Sequence, residues 1–114
     1  MIRIYHNNRC SKSRSALALL EQHGQRFEVI NYLEAPPSPQ ELKVLLSLLG
    51  IRARQLLRSG EDIYAELHLE DALLDDEALI NAMATHPRLI ERPIVVANGK
   101  AVIGRPPEAV LAIL

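Results

Sequence analysis

Apolar and polar residues alternate at the start of the chain and then change period. Ile2, Ile4 and Tyr5 predict a short strand over residues 1–5. The polar run His6-Asn7-Asn8-Arg9 follows as a loop, because Asn tolerates turn conformations. From Ser13 the period becomes helical. Ser13, Ala16, Leu17 and Leu20 stand at i, i+3, i+4 and i+7, on one helix face, and Gly24 is a natural stop. Residues 27–33, rich in β-branched and aromatic side chains, predict a second strand.

Ala35-Pro36-Pro37 interrupts the pattern. Ser38-Pro39-Gln40-Glu41 then places Ser at the N-cap, Pro in the first helical position and Glu at the third, a capping box with a tolerated proline. Leu42, Leu45, Leu46 and Leu49 carry the stripe on to Gly50. Residues 51–90 read as fragmented helix. One short helix starts around Ser59-Gly60-Glu61-Asp62 and runs through Leu67, and another starts at Asp75-Asp76-Glu77, where the helix dipole favours negative charge. His86-Pro87 closes the latter. Residues 93–97 predict a strand, Asn98-Gly99 a hairpin turn, and residues 100–103 the returning strand. Gly104-Arg105-Pro106 leads into a last helix, with Pro106 near its first turn and Ala109, Val110 and Ile113 facing in.

The order is β-α-β-α, a helical stretch, then β-β-α. A β-α-β unit implies a parallel strand pair, and the hairpin adds an antiparallel one, so the sheet is mixed. This is the element order of an α/β thioredoxin-like fold, a single domain over residues 1–114 with a helical insertion at about 51–90.

Composition narrows the function classes. A net charge of -1 gives no reason to expect a nucleic-acid surface. No apolar run is long enough to span a bilayer, and the polar first ten residues are unlike a signal peptide. One cysteine excludes an internal disulfide and the usual several-Cys zinc site, and it fits a reducing, cytoplasmic location. His23, His68 and His86 have no metal-ligand spacing.

The lone cysteine is the candidate nucleophile. Cys10 lies where the first strand gives way to the first helix, whose N-terminus carries unpaired N–H groups and about half a positive charge. Arg9, Lys12 and Arg14 flank it. Such surroundings favour thiolate over thiol, whereas a structural cysteine sits among apolar neighbours. Ser13 occupies the position where a dithiol motif carries its second Cys, so a thiol from another molecule must resolve any mixed disulfide on Cys10. Ser13 itself is either a hydrogen-bond donor to the thiolate or to a bound anion, or a small residue on the inner helix face.

The segment from His6 to Arg14 (HNNRCSKSR) resembles the active-site segment of the glutaredoxin-coupled arsenate reductases. Leu57-Arg58-Ser59-Gly60-Glu61, Glu91-Arg92-Pro93-Ile94-Val95 and Ile103-Gly104-Arg105-Pro106-Pro107-Glu108 are similar to three further segments of that family, in order and at family-like spacing. Asn8 stands where many members have proline. The resemblance implies a thioredoxin-like fold and reduction of arsenate to arsenite, an arsenic-detoxifying oxidoreductase activity. It implies that Cys10 attacks arsenate, that glutathione attacks the adduct, and that glutaredoxin completes the reduction, with no bound cofactor. It further implies that Arg58, Arg92 and Arg105 hold the oxyanion, that Pro93 is cis and lies against the cysteine, and that His6 stands near the nucleophile.

The chemistry agrees. Arsenate is an anion near neutral pH, and a thiolate attacking it meets repulsion. Guanidinium groups and helix N–H groups neutralise such a ligand. Two alternatives remain at this level: a glutathione-dependent reductase of another substrate, and a thioredoxin-like redox regulator that binds RNA polymerase. Ser13 removes the second cysteine that a disulfide-switched regulator commonly carries.

Overall fold

The computed structural model describes residues 2–114, so the part of the first predicted strand that falls on Met1 lies outside the described residues. The chain forms two compact units, residues 1–35 with 92–114, and residues 36–91.

The first unit is built on a mixed sheet. Its strands, among the described residues, are β1 (Ile2–His6), β2 (Phe27–Asn31), β3 (Ile94–Ala97) and β4 (Lys100–Ile103), in the order β2-β1-β3-β4. β1 pairs parallel with β2, while β3 runs antiparallel to both β1 and β4. Every residue of β3 is buried, as its unbroken Ile-Val-Val-Ala run requires of an interior strand. The hairpin turn forms as expected, with Asn98 and Gly99 both at positive φ (54° and 73°), the backbone region that Asn-Gly favours. α1 (Ser11–His23) connects β1 to β2 and ends at Gly24 in the left-handed conformation. Its predicted inner face is correct: Ser13, Ala16 and Leu20 are buried, and Leu17 is half-buried. Ala16 and Leu20 pack with Ile2, Ile4, Val95, Ala97, Val110 and Ile113 into one core. Each large aliphatic side chain fully buried there contributes about 1.5–3 kcal/mol.

Three boundaries in this unit differ from expectation. β1 continues to His6, which pairs with Asn31, so His6 is a strand residue rather than the first of a loop. β2 stops at Asn31 instead of reaching Leu33, because the Asn31 carbonyl accepts the N–H groups of Glu34 (3.0 Å) and Ala35 (2.9 Å) and turns the chain out of the ladder. The last helix is a 3₁₀ segment, Pro107–Ile113. Val110 and Ile113 face in as predicted, but Ala109 is only half-buried.

The second unit is helical. α2 (Pro39–Leu49) starts where the capping signal places it: the Ser38 hydroxyl accepts the Glu41 N–H at 3.1 Å, and Gly50 ends the helix at φ 70°. α3 (Ala53–Leu56) was not legible, since four residues are too few to show a period. α4 (Asp62–Glu66) and α5 (Asp76–Thr85) fall where predicted, the latter capped by the Asp75 carboxylate accepting the Ala78 N–H at 2.9 Å. α2 and α3 pack on α5. This unit begins at Pro36 and takes in α2 together with the stretch predicted as the insertion.

Candidate active site

The parallel pair ends at His6 and Asn31, and the chain then turns tightly into α1. Asn7 builds that turn. Its side-chain oxygen accepts the Arg9 N–H (2.9 Å), its carbonyl accepts the Cys10 N–H (3.0 Å), and its own N–H donates to the Ser13 hydroxyl oxygen (3.0 Å). Nothing beyond the general turn preference of Asn marked this residue in the sequence. The outcome is that Cys10 occupies the N-cap of α1, with extended backbone (φ -95°, ψ 122°).

Cys10 is a free cysteine with 7% of its surface exposed, more enclosed than its polar neighbours suggested. That burial has the largest effect on its acidity and pushes the thiol up. Against it act, in decreasing order, the backbone N–H of Ser13, the guanidinium of Arg92, the backbone N–H of Lys12 and the guanidinium of Arg105. Together they outweigh burial and hold the thiol below its ordinary value.

The source of the positive charge differs from expectation. Arg9, Lys12 and Arg14 are exposed on the surface, where water and salt screen them. Lys12 acts through its backbone rather than its ammonium group. Arg14 donates from Nη1 to the Asn8 carbonyl at 2.8 Å and so braces the loop before the nucleophile. The charges that reach the sulfur are those of Arg92 and Arg105, some 80 residues or more further along the chain.

Two strand ends deliver these arginines. Arg92 precedes β3, and its bond to Pro93 is cis, as the resemblance implied. Arg105 follows β4, and its bond to Pro106 is also cis, where the sequence had suggested only a first-turn proline. Ile94 and Ile103 are ladder partners, so antiparallel pairing brings the start of β3 beside the end of β4.

His6 and Ser13 form a buried polar pair. His6 is 2% exposed and Ser13 0%, with 2.6 Å between Nδ1 and Oγ. His6 Nε2 has no hydrogen-bond partner among the described residues. Ser13 lies on the inner helix face, and its hydroxyl is taken up by His6 and Asn7; it acts on Cys10 through its backbone N–H, which any non-proline residue at this position would supply.

Arg58 belongs to the second unit. It is held by Glu61 (3.2 Å) and Glu91 (3.9 Å), and its backbone N–H donates to the Leu89 carbonyl at 2.8 Å, beside an isolated bridge between Leu57 and Ile90. Among the described residues no group of three or more His, Cys, Asp and Glu side chains is placed to hold a metal ion. Nor, among the described residues, is any helix long and apolar enough to cross a membrane.

The sequence profile of the ArsC family matches residues 5–113. The chain belongs to the ArsC family. Among the relatives of this ArsC-family protein, an arsenate reductase of Neisseria meningitidis serogroup B is 53% identical over 114 residues, covering 99% of this chain and 97% of the relative. The protein YfgD of Escherichia coli, described as uncharacterized, is 57% identical over 99% of this chain and 96% of its own. The solved structure of an arsenate reductase from Vibrio cholerae is 57% identical, with a TM-score of 0.96 over 99% of this chain and 97% of that one. The mixed sheet of this ArsC-family protein is that of the thioredoxin-like fold.

Proposed function

We propose that this ArsC-family protein is an arsenate reductase that uses Cys10 as its nucleophile and glutathione and glutaredoxin as its reductants. The observation that carries the reading is that two guanidinium charges from distant parts of the chain, Arg92 and Arg105, act on the Cys10 sulfur and favour its thiolate. A thiolate and an anion repel one another, and these cations offset that repulsion at the sulfur.

The chemistry balances with two thiols. The Cys10 thiolate displaces one hydroxide from arsenate and forms a sulfur–arsenic bond, with arsenic still pentavalent. The glutathione thiolate then attacks the Cys10 sulfur. The sulfur–arsenic electron pair leaves with arsenic, which departs as arsenite, and a mixed disulfide remains. A glutaredoxin thiol attacks that disulfide and returns Cys10 to its thiolate. The outside thiols are needed because Ser13 replaces a second cysteine. The resemblance adds Arg58 to the oxyanion holders, and its role rests on that resemblance. Reductants of this kind place the reaction in the cytoplasm.

The test is arsenate-dependent oxidation of NADPH in a system coupled through glutathione, glutathione reductase and glutaredoxin. Turnover that needs arsenate, glutathione and Cys10 together supports the reading. NADPH consumption independent of arsenate overturns it.

A further inference from the structure

His6 and Asn31 are the last ladder partners of the parallel pair, so the segments after β1 and β2 leave the sheet side by side at their C-terminal ends. In open α/β sheets that edge is where ligands bind. A cavity of about 230 Å³ opens there, with Asn7, Asn8 and Arg9 on one wall and Asn31, Leu33 and Glu34 on the other. Both walls are fixed by hydrogen bonds. Asn7 and Arg14 hold the first, and the Asn31 carbonyl holds the second by accepting the N–H groups of Glu34 and Ala35. A cavity built in advance loses less freedom when a ligand enters.

The lining has one charge of each sign. Arg9 and Glu34 face the same cavity, and among the described residues neither side chain is in an ion pair. A ligand bearing a carboxylate and an ammonium group on neighbouring atoms matches that arrangement. Arg9 is followed directly by Cys10, so the cavity adjoins the loop that carries the nucleophile.

We propose that this cavity binds the α-amino-acid end of the thiol co-substrate, the γ-glutamyl group of glutathione. Arg9 takes its α-carboxylate, Glu34 takes its α-ammonium, and the amide of Asn31 adds a hydrogen bond. Leu33 packs on the methylene chain. The assignment rests on the reading that a small thiol resolves Cys10, but its test uses no arsenate.

The test titrates the isotope-labelled full chain with S-methylglutathione, which has no free thiol, and follows backbone amide signals. The expected result is saturable binding that shifts Asn7, Asn8, Asn31 and Glu34. Arg9→Gln and Glu34→Gln should each weaken binding about tenfold, which corresponds to about 1.4 kcal/mol. Arg9→Lys should recover part of the loss. The S-methylated analogue lacking the α-amino group should bind the wild type weakly, and equally to wild type and Glu34→Gln. Absence of binding, shifts confined to other residues, or unchanged affinity in both variants overturns the proposal. Both variants change exposed charges, which contribute little to folding. Failure here leaves arsenate turnover standing, and failure of arsenate turnover leaves a positive binding result standing.

Discussion

Gly104 lies directly against Pro93. Its N–H donates to the Pro93 carbonyl at 2.8 Å, and a Cβ on Gly104 would stand 2.8 Å from Pro93 Cγ. Carbon atoms do not approach that closely without displacement, and a proline ring cannot swing away. The glycine is therefore required by space, since its backbone is not at positive φ. The contact is flanked by the two residues whose charges act on Cys10, Arg92 before Pro93 and Arg105 after Gly104.

Gly104→Ala should cost about 1–3 kcal/mol, the range for inserting a methyl group into a packed site. The added methyl group would make ordinary contacts with Val110 Cγ1 (3.4 Å) and Ala16 Cβ (3.5 Å), so the resistance comes from the Pro93 ring, and these neighbours leave the methyl group little room to move away from it. Chemical denaturation checks the loss. The same variant should alkylate more slowly at Cys10 near neutral pH, because the displacement falls beside Arg105. Unchanged stability would show that the strand end yields freely.

Alkylation rate against pH should give a Cys10 pKa below that of free cysteine. Arg92→Gln and Arg105→Gln should each raise it, Arg92 the more, since its charge acts more strongly on the sulfur. The sign for stability follows. The folded thiol is the stronger acid, so the thiolate contributes stability that is present above the unfolded pKa and lost as pH falls through the folded one. A pKa at or above that of free cysteine would refute the account of the charges.

Cys10→Ser should abolish turnover with the fold intact, because a serine hydroxyl is a weak nucleophile without an activating base and forms no mixed disulfide. In the wild type, mass spectrometry of the intact chain should show glutathione added when arsenate and glutathione are both present, and much less with glutathione alone. Equal addition in both cases means that arsenate is not the substrate.

Arg92→Ala and Arg105→Ala should reduce turnover far more than stability. Arg105 is exposed and Arg92 half-buried, and surface charges contribute about 0–1 kcal/mol to folding. Arg58→Ala is the informative contrast. It removes pairs with Glu61 and Glu91 inside the second unit, so some loss of melting temperature is expected there. A loss of turnover beyond that, seen as a raised KM for arsenate, would support its role on the oxyanion.

Ser13→Ala should cost about 1–3 kcal/mol, because it leaves His6 Nδ1 and the Asn7 N–H without their buried partner. Ser13→Thr keeps the hydroxyl but adds a methyl group at a position with no exposed surface, so it should be destabilised by overpacking instead. Thermal melts of the two variants, set beside the pH dependence of Cys10 alkylation, separate the fold from the chemistry: Ser13→Ala retains the backbone N–H that acts on the thiolate.

Local physics made much of this protein readable in advance. The inner face of α1, the Ser38 cap and Gly50 stop of α2, the starts of α4 and α5, and the Asn98-Gly99 turn each depend on residues a few positions apart, so spacing alone specifies them. The same holds for the position of Cys10 at a helix start. Ends of elements were less legible where a competing hydrogen bond decides them, as the Asn31 carbonyl does for β2. Four-residue α3 and the 3₁₀ form of residues 107–113 lack the length over which a period shows. What only the tertiary structure decided is which charges meet the sulfur. Arg9, Lys12 and Arg14 are near in sequence but exposed, and their charges are not among those that act on the sulfur, while Arg92 and Arg105 are far in sequence and act on Cys10. Their arrival depends on antiparallel pairing of β3 and β4 and on the close approach of Gly104 to Pro93. Electrostatic interaction follows distance through space and solvent exposure, and neither is written in the spacing of residues along the chain.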